Sequence, residues 1–228
     1  RHRSEASKYM GNAPISVRWV DFNKGDAETP NYRSRLVARE IRRFGEEPVF
    51  APTPPPESLR TILSLAATDM PGRPKHARDP ASEQRTQISF VDIKRASLCA
   101  KTGPNDPTYV ELPEEHPWSK DGENCAMLLK HMYGARKAGD GWHEGISGTL
   151  TDKLGLSKGD ASARISRHPG EAIECSIHED DLSATGPKEA LDWYTEELQK
   201  AYALDEGARP GPGPNDTKEA RKGNRGRM

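Results

Sequence analysis

The chain has 228 residues, enough for one domain or two subdomains fused into a single unit, and its 33% apolar content falls short of the ~45–50% usual in soluble domains even with the 20 glycines added, so the core is expected to be thin. Lys and Arg number 34 against 35 Asp and Glu, which excludes bulk charge as a sign of a polyanionic partner and leaves that argument to local patterning. Three widely spaced cysteines (Cys99, Cys125 and Cys175) argue against a disulfide framework, and no apolar run approaches the ~20 residues of a membrane span.

In chain order, residues 1–14 are polar and are expected to be frayed. Residues 17–20 and 35–38 pattern as strands around the loop Asn23-Lys24-Gly25-Asp26, making a hairpin. The prolines from Pro52 to Pro56 stop regular structure. An amphipathic helix follows over residues 57–68, with Leu59, Ile62, Leu63 and Ala66 at core spacing. Residues 69–87 read as an exposed loop and residues 88–93 as a strand.

After a strand at Tyr109, a helix-like stretch carries Trp142, Ile146, Leu150 and Leu154 at every fourth position, weakened by four glycines at ~1 kcal/mol each. Two short strands, 172–177 and 182–186, flank a polar tip. A second helix spans 188–204, with Leu191, Tyr194, Leu198 and Ala201 facing inward. From Asp205 the composition turns to Pro, Gly and charge, the mark of a disordered linker over 205–228.

The polar tip is Ile177-His178-Glu179-Asp180-Asp181-Leu182. Far upstream, Ile88, Phe90 and Asp92 share one face of a period-two alternation. An acidic doublet of this kind either makes a solvated turn or, with a strand-end aspartate beside it, holds metal ions. A pair of Mg²⁺ ions roughly 3.5–4 Å apart needs bridging carboxylates, because hard cations prefer oxygen ligands. Cys175 and His178 also have ligand spacing, but no second pair completes a zinc site.

The neighbours of these aspartates resemble a known family. Arg33-Ser34-Arg35-Leu36-Val37-Ala38-Arg39 followed by Phe50-Ala51-Pro52 resembles the opening of copia-type retrotransposon reverse transcriptases. Phe90-Val91-Asp92-Ile93-Lys94-Arg95-Ala96, Tyr109-Val110-Glu111-Leu112-Pro113 and the block from Tyr133-Gly134-Ala135-Arg136 to Trp142 are similar to its next three motifs. His178-Glu179-Asp180-Asp181 stands in place of its Tyr-Val-Asp-Asp. These blocks come in the right order over residues 17–204.

The resemblance implies an α+β right-hand polymerase over residues 15–204, with fingers and an antiparallel palm sheet backed by helices, and with the thumb absent. It implies RNA-directed DNA polymerase activity: a primer 3′-hydroxyl attacks the α-phosphate of a deoxynucleoside triphosphate on an RNA template. Asp92, Asp180 and Asp181 are then the catalytic carboxylates and the ligands of two Mg²⁺ ions, or of Mn²⁺. Arg35, with Arg33 and Arg39 behind it, is expected to contact the triphosphate, since guanidinium forks match phosphate oxygens. Tyr133, Gly134 and Arg136 are expected to line the nucleotide side, and Ser97 the sugar. Integrase and ribonuclease H modules of a Pol polyprotein are the expected partners. A chain that opens on Arg1 suits a piece of such a polyprotein, and the lack of a signal peptide suits an intracellular setting, cytoplasmic or in a virus-like particle, not a secreted one.

Four positions depart from the family pattern. Ser97 replaces an aromatic residue that screens the ribose 2′-hydroxyl. Glu179 adds a third acid beside the doublet, His178 replaces tyrosine, and Ala138-Gly139 replaces Ser-Pro. Two readings therefore stand: a reverse transcriptase with weakened or lost catalysis, or a non-catalytic remnant that binds nucleic acid.

Overall fold

The computed structural model describes residues 1–41, 56–68, 85–103, 107–160, 162, 164–213 and 216. The Phe50-Ala51-Pro52 block, most of the expected loop at 69–87 and tail residues 217–228 lie outside them. The elements are α1 (Arg3–Met10), β1 (Val17–Asn23), β2 (Tyr32–Ala38), α2 (Pro56–Ala67), β3 (Thr86–Ile93), β4 (Tyr109–Glu111), β5 (Cys125–Met127), α3 (Ala138–Gly148), β6 (Ser157–Lys158), β7 (Ile165–His168), β8 (Ile173–His178), β9 (Asp181–Pro187), α4 (Lys188–Ala201) and β10 (Leu204–Glu206). The chain divides into two compact units, one of residues 1–51 and 97–145, the other of 52–96 and 146–228.

In the second unit six strands form a sheet in the order β10-β3-β9-β8-β7-β6, and each neighbouring pair is antiparallel. Its core face is set by alternation: Val91 and Ile93 on β3, Leu182 and Ala184 on β9, and Ile173, Cys175 and Ile177 on β8 are all buried. Helix α4 lies on this face, where the Tyr194 hydroxyl meets Cys175 Sγ at 3.1 Å. Its Leu191, Tyr194 and Leu198 are fully buried, each aliphatic one contributing about 1.5–3 kcal/mol. Ala201, expected to face inward, is exposed because the helix ends there.

Helix α2 begins at Pro56, a residue whose missing N–H costs nothing at a helix start. Its buried side is Ser58 and Ile62, whereas Leu59 and Leu63, expected in the core, are 43% and 39% exposed. The inner stripe is turned by one residue, about 100° around the axis, which brings a small serine against its neighbours in place of a leucine. The row at every fourth position is buried: Trp142, Ile146, Leu150 and Leu154. Past Gly148 the row continues through a π-helical turn, Thr149–Lys153, whose larger number of residues per turn suits a repeat longer than 3.6.

The expected disordered tail is corrected over residues 205–213 and 216. Strand β10 pairs with β3, and the pairing pattern runs on: Gly207 N–H donates to Phe90 O at 2.7 Å and Ile88 N–H to Pro210 O at 2.9 Å. Arg209 bonds to Asp192 and, at 2.9 Å, to Thr195 Oγ1. Asp216 accepts from Arg85, from Gln87 Nε2 and, at 2.7 Å, from Gly213 N–H. Backbone groups of β3 on that edge need partners, and this segment supplies them.

In the first unit, β1 and β2 form a hairpin in full register from Val17 opposite Ala38 to Asn23 opposite Tyr32. Strands β4 and β5 form a second pair, with Ile15 bridged to Val110. Ile15, Ala38, Val110 and Met132 make one small core. Residues 3–10, expected to fray, form α1: His2 caps its start, and Ala6 packs with Tyr109 and Cys125. Ala6 and Met10, one turn apart, carry its packed side, too short a stripe to stand out as an amphipathic pattern.

Candidate functional site

Asp92 lies opposite Asp181 in the β3–β9 register. Ile93 N–H donates to Asp180 O at 2.8 Å, so Ile93 and Asp180 form a hydrogen-bonded pair. The next pair along the ladder, Asp92 and Asp181, is therefore a non-hydrogen-bonded one, in which Cα atoms stand only ~4.5 Å apart and side chains share a face. Both residues are exposed. On either side the same row continues to His178, opposite Asp181, and to Asp205, opposite Asp92. Asp205 holds Lys94 in an ion pair of 2.7 Å.

Like charges placed in direct register repel. Partial burial raises the Asp181 carboxyl above its ordinary range, and the Asp180 and Glu179 charges add to that, with His178 opposing them. The tip itself is a two-residue turn, Glu179-Asp180, with a φ of 53° at Glu179. A positive φ at the first central residue alone is the type II′ arrangement, where glycine is at ease and a glutamate is strained.

Carboxylate oxygens are suited in kind to Mg²⁺ or Mn²⁺. Among the described residues, however, no three Asp, Glu, His or Cys side chains are gathered closely enough to hold an ion. Asp92 and Asp181 are paired, and Asp180 sits in the turn, half-buried, with its carbonyl engaged by Ile93. The role of Asp205 is invisible in a sequence that reads as linker from that residue on; the apolar Tyr202-Ala203-Leu204 just before it is the signal for a further strand.

The remaining candidates belong to the first unit. Arg33, Arg35 and Arg39 are exposed on or just past β2. The Arg35 guanidinium lies over the rings of Phe22 and Tyr133, 5.5 and 5.1 Å from their centroids. Tyr133 O accepts from Ala38 N–H at 2.8 Å. Gly134 has a φ of 83°, and a Cβ there would collide with the Ala38 carbonyl oxygen, so the close approach expected of this glycine is to β2. Arg136 N–H donates to Glu40 Oε2 at 2.7 Å. Ser97 lies half-buried in a short 3₁₀ turn, Ala96–Leu98.

No protein-family model matches the chain. It is 27% identical over 139 residues to a retrovirus-related Pol polyprotein from transposon TNT 1-94 of Nicotiana tabacum, a stretch that covers 58% of this chain and 9% of that polyprotein. The similarity is consistent with an origin in a retrotransposon Pol reading frame.

Proposed function

We propose that the chain is the fingers and palm of a copia-type reverse transcriptase, an RNA-directed DNA polymerase whose catalysis is weakened by its surroundings. The observation that carries this reading is the opposition of Asp92 and Asp181 in a non-hydrogen-bonded pair, with Asp180 next in the chain. Two aspartates placed opposite each other in a ladder gain from a cation that both carboxylates can reach. Bound Mg²⁺ would supply charge neutralisation and a more acidic primer hydroxyl.

Within that reading Asp92 and Asp181 orient the ions from facing strands, and Asp180 completes the set once the turn is engaged by substrate. Arg35, Arg33 and Arg39 neutralise the triphosphate; Tyr133, Gly134 and Arg136 bound the nucleotide side; Ser97 leaves the sugar 2′ position open. Glu179 weakens the site by placing a further negative charge beside the polyanionic substrate. The Pol-like relative bears on origin, and activity, template RNA and primer DNA are part of the proposal.

A second reading, a nucleic-acid-binding remnant, draws support from the absence of an assembled three-carboxylate group among the described residues. The two are separated by Mn²⁺ titration of the intact chain, followed through paramagnetic broadening at residues 92, 180 and 181, with Mg²⁺-dependent primer extension on an RNA template alongside. Broadening that Asp180→Asn reduces, together with extension that it abolishes, supports the polymerase. RNA binding with neither signal leaves the remnant.

A further inference from the structure

The turn that leaves β3 carries a charge pattern that neither reading above uses. Lys94 and Arg95 stand third and second before Ser97, and the apolar Leu98 follows it. No other serine or threonine of the chain has Lys or Arg at both of those places. Ser97 stands where the family pattern has an aromatic ring, so its hydroxyl belongs to this chain and not to the resemblance. Lys94 and Arg95 are exposed, Leu98 is 37% exposed, and Ser97 is half-buried in the 3₁₀ turn Ala96–Leu98.

We propose that Ser97 is a phosphorylation site for a serine/threonine protein kinase directed to basic residues, with ATP as the phosphoryl donor. The Ser97 hydroxyl oxygen attacks the γ-phosphorus and the bond from that phosphorus to the β,γ-bridging oxygen breaks. ADP leaves, and the hydroxyl proton passes to the base of the kinase. Kinases of this class select by charge pattern, with cations upstream of the acceptor meeting carboxylates of the enzyme. They read consecutive residues in extended form, so the turn has to open. Its construction makes that easy. A three-residue 3₁₀ turn has poor hydrogen-bond geometry. Arg95 has a φ of 57°, a left-handed conformation strained for any residue but glycine, and extension relieves it. The Lys94–Asp205 ion pair, 2.7 Å long, has both side chains 47% exposed, and pairs of that kind contribute little. On the polymerase reading, a phosphate of about −1.5 to −2 charge would stand at the residue assigned to the sugar and repel a triphosphate. That consequence rests on the polymerase reading; the modification site does not.

The test incubates the intact chain with Mg²⁺, ATP and the catalytic subunit of cyclic-AMP-dependent protein kinase, and in parallel with an acid-directed kinase. Intact mass and fragment sequencing locate the phosphate. Ser97 is expected to be the main acceptor for the first kinase and to stay unlabelled by the second. Arg95→Gln and Lys94→Gln should each lower the kcat/KM of labelling by about tenfold, the loss of one charge-assisted contact. A charge variant that failed to fold would be labelled faster, the opposite sign, because its turn is already open. Ser97→Ala should remove the label, and mapping in the unmutated chain identifies the acceptor even if that variant does not fold. Phosphate mainly on another residue, equal labelling of Ser97 by the acid-directed kinase, or labelling indifferent to both charge variants overturns the site. None of these outcomes involves a primer, a template or metal binding at Asp92 and Asp181, so this inference and the polymerase reading fail separately.

Discussion

Strand β3 meets an aspartate from another segment at each of its ends, and the two are opposite in kind. At one end Asp181 faces Asp92 across the ladder, acid against acid, on an exposed face. At the other, Asp216 is buried among donors: Arg85, Gln87 and the Gly213 N–H. The second aspartate closes a structure. The first stands in an exposed row, with His178 on one side of the pair and Asp205, ion-paired to Lys94, on the other. A repulsive pair in exact strand register is a local conflict of the sort that marks function, whereas a satisfied buried acid marks architecture.

The sharpest way to break that contrast is to remove one member of the open pair. Asp181→Asn is expected to abolish primer extension and yet to stabilise the cation-free protein by about 0.2–1 kcal/mol, the cost of like charges directly opposite. Extension assays and urea unfolding without divalent ions read the two effects. A loss of stability in Asp181→Asn would mean that the pair is already satisfied, and the contrast with Asp216 would collapse.

Removing the closing aspartate should act on stability alone. Asp216→Ala leaves Arg85, whose side chain is 15% exposed, without its carboxylate. The expected loss is about 3 kcal/mol, and Asp216→Asn should lose less because the amide still accepts one bond. Hydrogen exchange at the Ile88 amide, which donates to Pro210, should quicken along with it. Unchanged exchange at Ile88 would show that the 207–213 segment holds without its clasp.

The turn gives a smaller effect with an informative sign. Glu179→Gly is expected to gain about 1 kcal/mol by relieving a positive φ, and Glu179→Val to lose stability, because a β-branched residue tolerates that region worst. Both remove the same charge. Thermal unfolding of the pair therefore separates backbone strain from electrostatics, and equal shifts in the two variants would rule out strain as the larger part.

How much of this was legible in the chain depends on what each segment shows in its own pattern. The alternation through Ile88, Phe90 and Asp92 and the polar tip at 178–181 announced their strands, and the two-residue tip set the register of β8 against β9; the opposition of Asp92 to Asp181 rests on the pairing of β3 with β9, which no local pattern shows. The inner face of α4 was legible for the same reason: Leu191, Tyr194 and Leu198 recur at helical spacing. Segment 204–216 was not, since Pro and Gly describe a linker equally well. The edge this segment covers is that of β3, a strand expected to be central, which has β9 on one side and β10 on the other. For α2, apolar spacing put Leu59, Ile62, Leu63 and Ala66 on one face; Ile62 is buried as expected, and tertiary packing turns the stripe toward Ser58 and away from the two leucines.

The smallest effect is on pH dependence, and its two parts differ in sign. Asp181 has a folded value above its ordinary one, from partial burial first and then from its acidic neighbours. Its contribution to stability is therefore full below the unfolded value and is lost as pH rises through the raised folded value. Burial alone would raise Asp216, but hydrogen bonds from Arg85 and the Gly213 N–H more than reverse it, so its folded value is lowered. That contribution is present above the unfolded value and is lost as pH falls through the lowered one. Acidification from neutrality should thus bring a slight gain first, as Asp181 takes its proton, and then a loss below the ordinary carboxylate range as the clasp opens. The gain is small because Asp181 is exposed and screened by solvent. Carboxyl carbon shifts followed by NMR, with stability measured in parallel, assign each step. Asp181→Asn should erase the first and leave the second, and Asp216→Asn should do the reverse. If both variants flattened the same limb, the two aspartates would not be the separate devices that the register makes them.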